Sequence, residues 1–135
     1  MPFVLDASTT ACWAFQDEQH PDADAALERM RTDQAIAPSL WWFEIRNILI
    51  VNERRKRLSE ADTAAFLRDL AVFSVEIDIT PETDEVLRLA RTHKLSIYDA
   101  AYLELALRKN VPLATLDADL SKAARMESVL LVGAN

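Results

Sequence analysis

The stretch that decides the fold is VLDAST, residues 4–9, in which a short apolar run ends at a carboxylate. A helix-starting sequence follows at once, so these residues predict a strand that leads directly into a helix. Asp6 stands at the junction. It could simply cap the helix, as Ser8 could, so its position alone leaves a capping role and a chemical role about equally supported.

Strands and helices alternate along the rest of the chain. Short apolar strands are predicted at residues 2–5, 74–79, 112–116 and 128–132, with one more very short strand in AIAPSL before Pro38. Helices are predicted at residues 8–16, 21–31, 39–55, 60–73, 81–93, 97–109 and 120–125, the fifth of them capped by Thr80 with Pro81 at its first position. This alternation indicates a parallel sheet covered by helices, in which ligands gather outside the carboxyl ends of the strands.

Composition narrows the class of protein. With 135 residues, half of them hydrophobic, the chain is expected to form a single soluble domain over residues 1–135. We expect a cytoplasmic protein without a membrane span or secretory signal, because Cys12 is the lone cysteine and residues 40–51 are interrupted by charge. The net charge of −7 argues against simple electrostatic wrapping of a nucleic acid. Gly133 is the one glycine, which excludes glycine-rich phosphate loops.

Glu44 is the most informative acid. Within SLWWFEIRNILIV, residues 39–51, it is predicted to share an apolar helix face with Trp41 and Ile48, while Arg46 points outward. A carboxylate on such a face is costly unless something pairs with it. Asn47 lies three residues on and is predicted to hold Glu44 by a hydrogen bond. A site role is favoured over a buried ion pair.

Three further aspartates lie at element boundaries. Asp99 lies in the first turn of the helix predicted from residue 97, where Ser96 and Asp99 fit a capping box, and this position taken alone favours a capping role. Asp117 follows a buried strand and projects to the same side as Thr115, and Asp119 is close behind. One of the last two is expected only to cap the helix that follows.

Together the acids suggest a metal centre. The carboxyl ends of parallel strands meet at one edge of a sheet, and like charges about 4 Å apart repel by roughly 4 kcal/mol at an effective dielectric constant of 20. Raised pKa values or a bound cation must relieve this repulsion. Oxygen ligands without histidine or thiol suit Mg²⁺ or Mn²⁺ rather than zinc.

These motifs, in this order, resemble PIN-domain proteins, in particular ribonuclease toxins of the VapC type. The resemblance is carried by four segments: VLDAST followed by Trp13, FEIRN, KLSIYDAAYLELA and LATLDADL. It implies a three-layer α/β/α sandwich around a central, mainly parallel sheet of four or five short strands. One departure is Lys94, where many relatives carry a glycine.

The resemblance also implies an activity. It is that of a Mg²⁺- or Mn²⁺-dependent endoribonuclease that forms a homodimer and is neutralised by a cognate antitoxin. The implied acidic residues are Asp6, Glu44, Asp99 and Asp117, and Asp119 matches an acid found in only some relatives. Ser8 and Thr115 are the implied supporting hydroxyls; Asn47 and Thr115 are expected to fix the metal ligands.

Two other surfaces have both a plain and a functional interpretation. The basic cluster ERRKR includes Arg54, Arg55, Lys56 and Arg57, and either favours a helix C-terminus or contacts RNA or an antitoxin. The adjacent tryptophans 41 and 42 indicate core or interface rather than a surface that stacks RNA bases.

Two alternative functions stay open. One is a Mg²⁺-dependent phosphatase with Asp6 as nucleophile, for which Lys122 is the nearby lysine. The other is a non-catalytic module whose acids bind a basic partner.

Overall fold

The computed structural model describes residues 1–133, which form alternating strands and helices as predicted. The strands are β1 (Phe3–Leu5), β2 (Ala35–Pro38), β3 (Val75–Asp78) and β4 (Leu113–Ala114). The helices are α1 (Ala7–Cys12), α2 (Pro21–Arg29), α3 (Leu40–Arg54), α4 (Glu60–Leu70), α5 (Thr83–His93), α6 (Ile97–Lys109) and α7 (Ala118–Met126). None of the helices within this part of the chain is both long and apolar enough to cross a membrane.

The four strands form one sheet in the order β3-β2-β1-β4, and every pair is parallel. All three residues of β1 are fully buried, as expected for a central strand of a covered parallel sheet. The predicted strand at residues 128–132 is reduced to a single parallel bridge between Leu113 and Leu131. The parallel sheet flanked by helices confirms the predicted fold class.

Helices cover both faces of the sheet. Helix α6 packs on β1, β2 and β4, and α5 and α7 pack against α6. Helix α2 contacts β4, helix α3 contacts β2, and both helices contact α1. Right-handed crossovers place the helices that follow β1 and β2 on one face and those that follow β3 on the other. The core therefore lies in two layers, one on each side of the sheet.

Several predicted helix boundaries are wrong. Helix α1 ends at Cys12 instead of residue 16, and α7 begins at Ala118, two residues early. Helix α5 begins at Thr83, and the predicted cap Thr80 instead directs its amide and hydroxyl to the Asp78 carboxylate, both at 3.3 Å. This local turn after β3 competes with helix formation and delays the start of α5.

The sheet order places one strand junction in a special position. The chain moves from β1 to β2 and β3 in one direction, and then crosses back to β4 on the other side of β1. The winding direction thus reverses between β1 and β4, and the crevice outside the carboxyl ends of such strands is where α/β sheets bind ligands. Asp6 directly follows β1, and Thr115 directly follows β4.

Candidate metal centre at the carboxyl edge of the sheet

Asp6 is both a helix cap and a buried carboxylate. It is only 4% exposed, and its Oδ1 accepts a hydrogen bond of 2.9 Å from the Thr9 amide at the start of α1. Burial raises the pKa of Asp6 above its ordinary value, although hydrogen bonds from Thr115, the Thr9 amide and Ser8 oppose this rise. Capping and a chemical role are therefore compatible, because one carboxylate has two oxygens.

Two hydroxyls fix Asp6 at the junction of β1 and β4. The Ser8 hydroxyl lies 2.9 Å from both carboxylate oxygens of Asp6, and it accepts a hydrogen bond of 3.0 Å from the Leu116 amide. Thr115 is buried, and its hydroxyl accepts a bond of 3.1 Å from the Asp117 amide. The structure thus places both predicted supporting hydroxyls beside Asp6.

Glu44 reaches the same edge from the first turns of α3. Its Oε1 accepts a hydrogen bond of 2.6 Å from the hydroxyl of Tyr102, a residue of α6 that is 2% exposed. Burial raises the pKa of Glu44, the Tyr102 hydroxyl lowers it, and the negative charges of Asp6 and Asp99 raise it further. Sequence reasoning missed the role of Tyr102. Its signal was a hydroxyl on the buried face of α6, three residues after Asp99.

The predicted surroundings of Glu44 need two corrections. The buried stripe of α3 consists of Trp41, Ile45, Leu49 and Asn52, so Glu44 lies at the margin of the stripe and is half-buried. Asn47 is exposed, and within residues 1–133 its side chain makes no hydrogen bond to Glu44. Tyr102, rather than Asn47, holds the carboxylate.

Asp99 lies in the first turn of α6. Its amide donates a hydrogen bond of 3.1 Å to the Ser96 hydroxyl, which is the helix cap. Burial raises the pKa of Asp99, and the negative charges of Asp117 and Asp119 raise it further, whereas the hydrogen bond with Ser96 lowers it. Asp99 is therefore electrostatically coupled to the acids that follow β4.

Asp117 is the cap of α7. Its Oδ2 accepts a hydrogen bond of 2.8 Å from the Leu120 amide, and Asp119 lies in the first turn of that helix. Of the two aspartates, Asp117 therefore makes the capping bond. Like Asp6, it retains a second oxygen that this bond does not use.

The acids form a chain of neighbours rather than a preformed metal cage. Asp6 acts on Glu44, Asp99 acts on Glu44, and Asp117 acts on Asp99 through their charges. Within residues 1–133, however, no group of three or more histidine, cysteine, aspartate or glutamate side chains is close enough to hold a metal ion as it stands. The donors themselves fit a hard ion, since they are carboxylates and hydroxyls.

The basic cluster at the end of α3 lies away from these acids. Arg57 forms ion pairs with Asp17 and Glu18, at 3.4 and 2.7 Å, and its guanidinium lies over the ring of Phe15. Ten residues of helix, about 15 Å, separate Glu44 from the beginning of the cluster at Arg54. Arg57 therefore supports the fold, and Arg54, Arg55 and Lys56 remain exposed.

The two adjacent tryptophans have different environments. Trp41 is buried, and its Nε1 donates a hydrogen bond of 2.9 Å to the Thr10 hydroxyl. Trp42 and Phe43 are exposed and pack edge to face, and Arg46 lies over the Trp42 ring at 3.8 Å. Trp41 thus belongs to the core, and its neighbours form an apolar surface beside Glu44.

Comparison with known proteins places this geometry in a family. The model of the PIN domain matches residues 3–126. Ribonuclease VapC3 of Pyrobaculum aerophilum is 28% identical over 125 residues, which cover 90% of this chain and 94% of that protein. The resemblance inferred from the sequence motifs is confirmed.

Solved structures share the fold. The crystal structure of PAE2754 from Pyrobaculum aerophilum has a TM-score of 0.70 and 25% identity, and the match covers 91% of this chain and 87% of that one. VapC20 of Mycobacterium tuberculosis, described as a Sarcin-Ricin loop cleaving toxin, has a TM-score of 0.61 at 15% identity, covering 90% and 94% of the two chains. By its matched family model, its sheet and its sequence motifs, this chain belongs to the PIN domain family.

Proposed function

We propose that this protein is a Mg²⁺- or Mn²⁺-dependent endoribonuclease and the toxin of a toxin–antitoxin pair. The observation that carries the proposal is the buried Asp6 at the strand junction, whose negative charge, together with that of Asp99, raises the pKa of Glu44. The name of the relative Ribonuclease VapC3 supports RNA as the substrate.

Each acid has a proposed role. Asp6 and Asp99 are the principal metal ligands, and Glu44 and Asp117 hold a second ion or orient the attacking water, with Asp119 as a further candidate ligand. When bound, a divalent ion stabilises charge on the phosphate oxygens and lowers the pKa of its water. Since no three of these side chains within residues 1–133 stand ready to hold an ion together, metal binding would draw them toward a common point.

The surrounding groups prepare the acids for this work. Ser8 and Thr115 orient Asp6, and Tyr102 orients Glu44, through hydrogen bonds that favour the ionised carboxylate. These bonds oppose the effect of burial on the pKa of both acids. Because metal ligands must be deprotonated, the bonds thereby favour binding of the ion.

The proposed partners follow from the same assignment. The protein acts in the cytoplasm on RNA, forms a homodimer, and is neutralised by a cognate antitoxin that inserts a basic side chain among the carboxylates. The exposed Trp42, Phe43 and Ile50 on α3 support a protein interface near the site.

The test is cleavage of RNA by the purified chain with added Mg²⁺ or Mn²⁺. We expect Asp6→Asn and Asp99→Asn to reduce cleavage to background while circular dichroism shows an intact fold. Asp24→Asn, at an exposed position in the first turn of α2, is the matched control and should cut RNA like the wild type.

Unchanged turnover in Asp6→Asn would refute the mechanism. RNA left intact by the wild-type chain with either ion would favour the non-catalytic interaction module. Hydrolysis of a small phosphomonoester by the wild type, lost in Asp6→Asn, would favour the phosphatase.

A further inference from the structure

A polyanionic substrate poses an electrostatic problem for this chain. The net charge is −7, and the proposed site consists of carboxylates. An RNA strand therefore needs local positive charge beside the site to hold its phosphates. Lysines that lie close to the acids and are not paired with carboxylates are candidates for this role.

Ion pairs within the described residues engage several arginines. Five arginines form ion pairs within residues 1–133: Arg29, Arg31, Arg57, Arg88 and Arg108. None of the four lysines does so in the same part of the chain. Of these lysines, Lys56 follows the end of α3 that is remote from Glu44. Lys109 is the last residue of α6 and lies about 15 Å along the helix from Asp99.

The other two lysines share a cavity. Lys94 and Lys122, both exposed, line an open cavity of about 410 Å³ between the end of α5 and helix α7, together with Asp119 and His93. His93 is held in the wall by a contact of 2.6 Å between its Nε2 and Glu127. The cavity thus combines a wall held by this contact with two exposed cationic side chains.

This cavity adjoins the proposed site through both of its walls. Lys94 lies two residues before Ser96, the cap of the helix that carries Asp99. Lys122 lies one helical turn after Asp119, in the helix that Asp117 caps. Asp119 itself lines the cavity and is close enough to Asp99 to raise the pKa of that acid.

We propose that Lys94 and Lys122 form a phosphate-binding subsite that holds the RNA strand next to the carboxylates. The proposal rests on the proposed ribonuclease function and specifies how an acidic protein engages its substrate. The lysines contact phosphates outside the bond that is cut, so they contribute to substrate binding rather than to the chemical step.

The backbone at Lys94 makes a clean test possible. Lys94 ends α5 in the left-handed conformation, with φ 54° and ψ 42°, which glycine adopts without steric cost. Lys94→Gly therefore removes the charge without straining the fold, and its melting temperature should equal or exceed that of the wild type. Lys122→Gln removes the second charge at an exposed helical position.

The chain also supplies a comparison for each change. Lys56 has φ 60°, so Lys56→Gly makes the same exchange at another positive φ and tests the competing RNA contact in the basic cluster at the end of α3. Lys109→Gln repeats the second exchange at the last residue of α6.

The experiment measures cleavage kinetics with Mn²⁺ on a labelled single-stranded RNA, and the binding of that RNA at several salt concentrations without divalent ions. We expect Lys94→Gly and Lys122→Gln each to raise KM and weaken binding by about two- to fivefold, with kcat little changed. The slope of log binding constant against log salt should fall by about 0.7 for each lysine. The control Lys109→Gln should behave like the wild type.

Wild-type KM and an unchanged salt slope in both cavity variants would overturn the subsite, and would leave these lysines to a protein partner. A loss of binding in Lys56→Gly alone would place the RNA along the end of α3 instead. If Asp6→Asn still abolishes cleavage in either case, the proposed function stands and only the subsite fails. If the wild type cuts no RNA, both fail together.

Discussion

Replacing Tyr102 with phenylalanine removes a single oxygen atom from the protein and tests the coupling between α6 and Glu44. The hydroxyl is buried, lies 2.6 Å from Glu44 Oε1, and has the short geometry of a bond to a charged acceptor. Such bonds contribute about 1.5–3 kcal/mol. For 135 residues, an unfolding entropy of about 2.1 cal/mol/K per residue converts this loss into a fall of about 5–11 °C in melting temperature.

The assay is thermal unfolding at neutral pH, with Tyr98→Phe as control. Tyr98 lies in the same helix but is 64% exposed, so the same exchange there should change stability by less than about 0.5 kcal/mol. Tyr102→Phe also raises the pKa of Glu44 further, because the hydroxyl lowers it in the wild type. Glu44→Gln should therefore stabilise the Tyr102→Phe variant more than it stabilises the wild type. Equal melting temperatures for Tyr98→Phe and Tyr102→Phe would refute this reasoning.

Three further changes test other contacts. Asp6→Asn should stabilise the fold at neutral pH, because burial raises the pKa of Asp6 and the ionised form opposes folding. Urea unfolding at several pH values should show that this gain in stability shrinks as the pH falls through the raised pKa. Ser8→Ala removes a donor that lowers the pKa of Asp6, so the pH profile of metal-dependent cleavage should move to higher pH. Arg108→Ala should lower the free energy of unfolding in urea by about 3–5 kcal/mol, because Arg108 pairs at 2.7 Å with both Asp78 and the buried Glu104. A loss under about 1 kcal/mol would contradict this structural role.

The order of the elements could be predicted from the sequence because the apolar pattern of each segment indicates how that segment is buried. Apolar runs such as residues 3–5 and 113–114 are buried on both sides, which distinguishes parallel strands from the amphipathic helices between them. Helix ends were less predictable. Thr80 has every local feature of a cap, yet its hydroxyl bonds to Asp78.

Contacts between distant segments account for what could not be predicted. Tyr102 and Glu44 are 58 residues apart, and Arg108 and Asp78 are 30 apart, so no local pattern relates them. Glu44 was predicted to lie within the buried stripe of α3, but it lies at the margin of that stripe. Helix α3 is apolar on most sides, so its sequence does not define a single buried face. The location of Asp6 and Asp117 at the same edge of the sheet was predictable, because the parallel strands that precede them align their carboxyl ends.

The most direct test of the account is the melting temperature of the wild-type chain and of Asp6→Asn as Mn²⁺ is added. If the carboxylates bind the ion only in the folded state, an ion concentration a hundredfold above Kd should stabilise the wild type by about 2.7 kcal/mol, or roughly 10 °C. Asp6→Asn should begin at a higher melting temperature and respond little to the ion. A wild-type melting temperature that ignores both Mn²⁺ and Mg²⁺, or an equal rise in Asp6→Asn, would contradict a metal centre at this edge of the sheet.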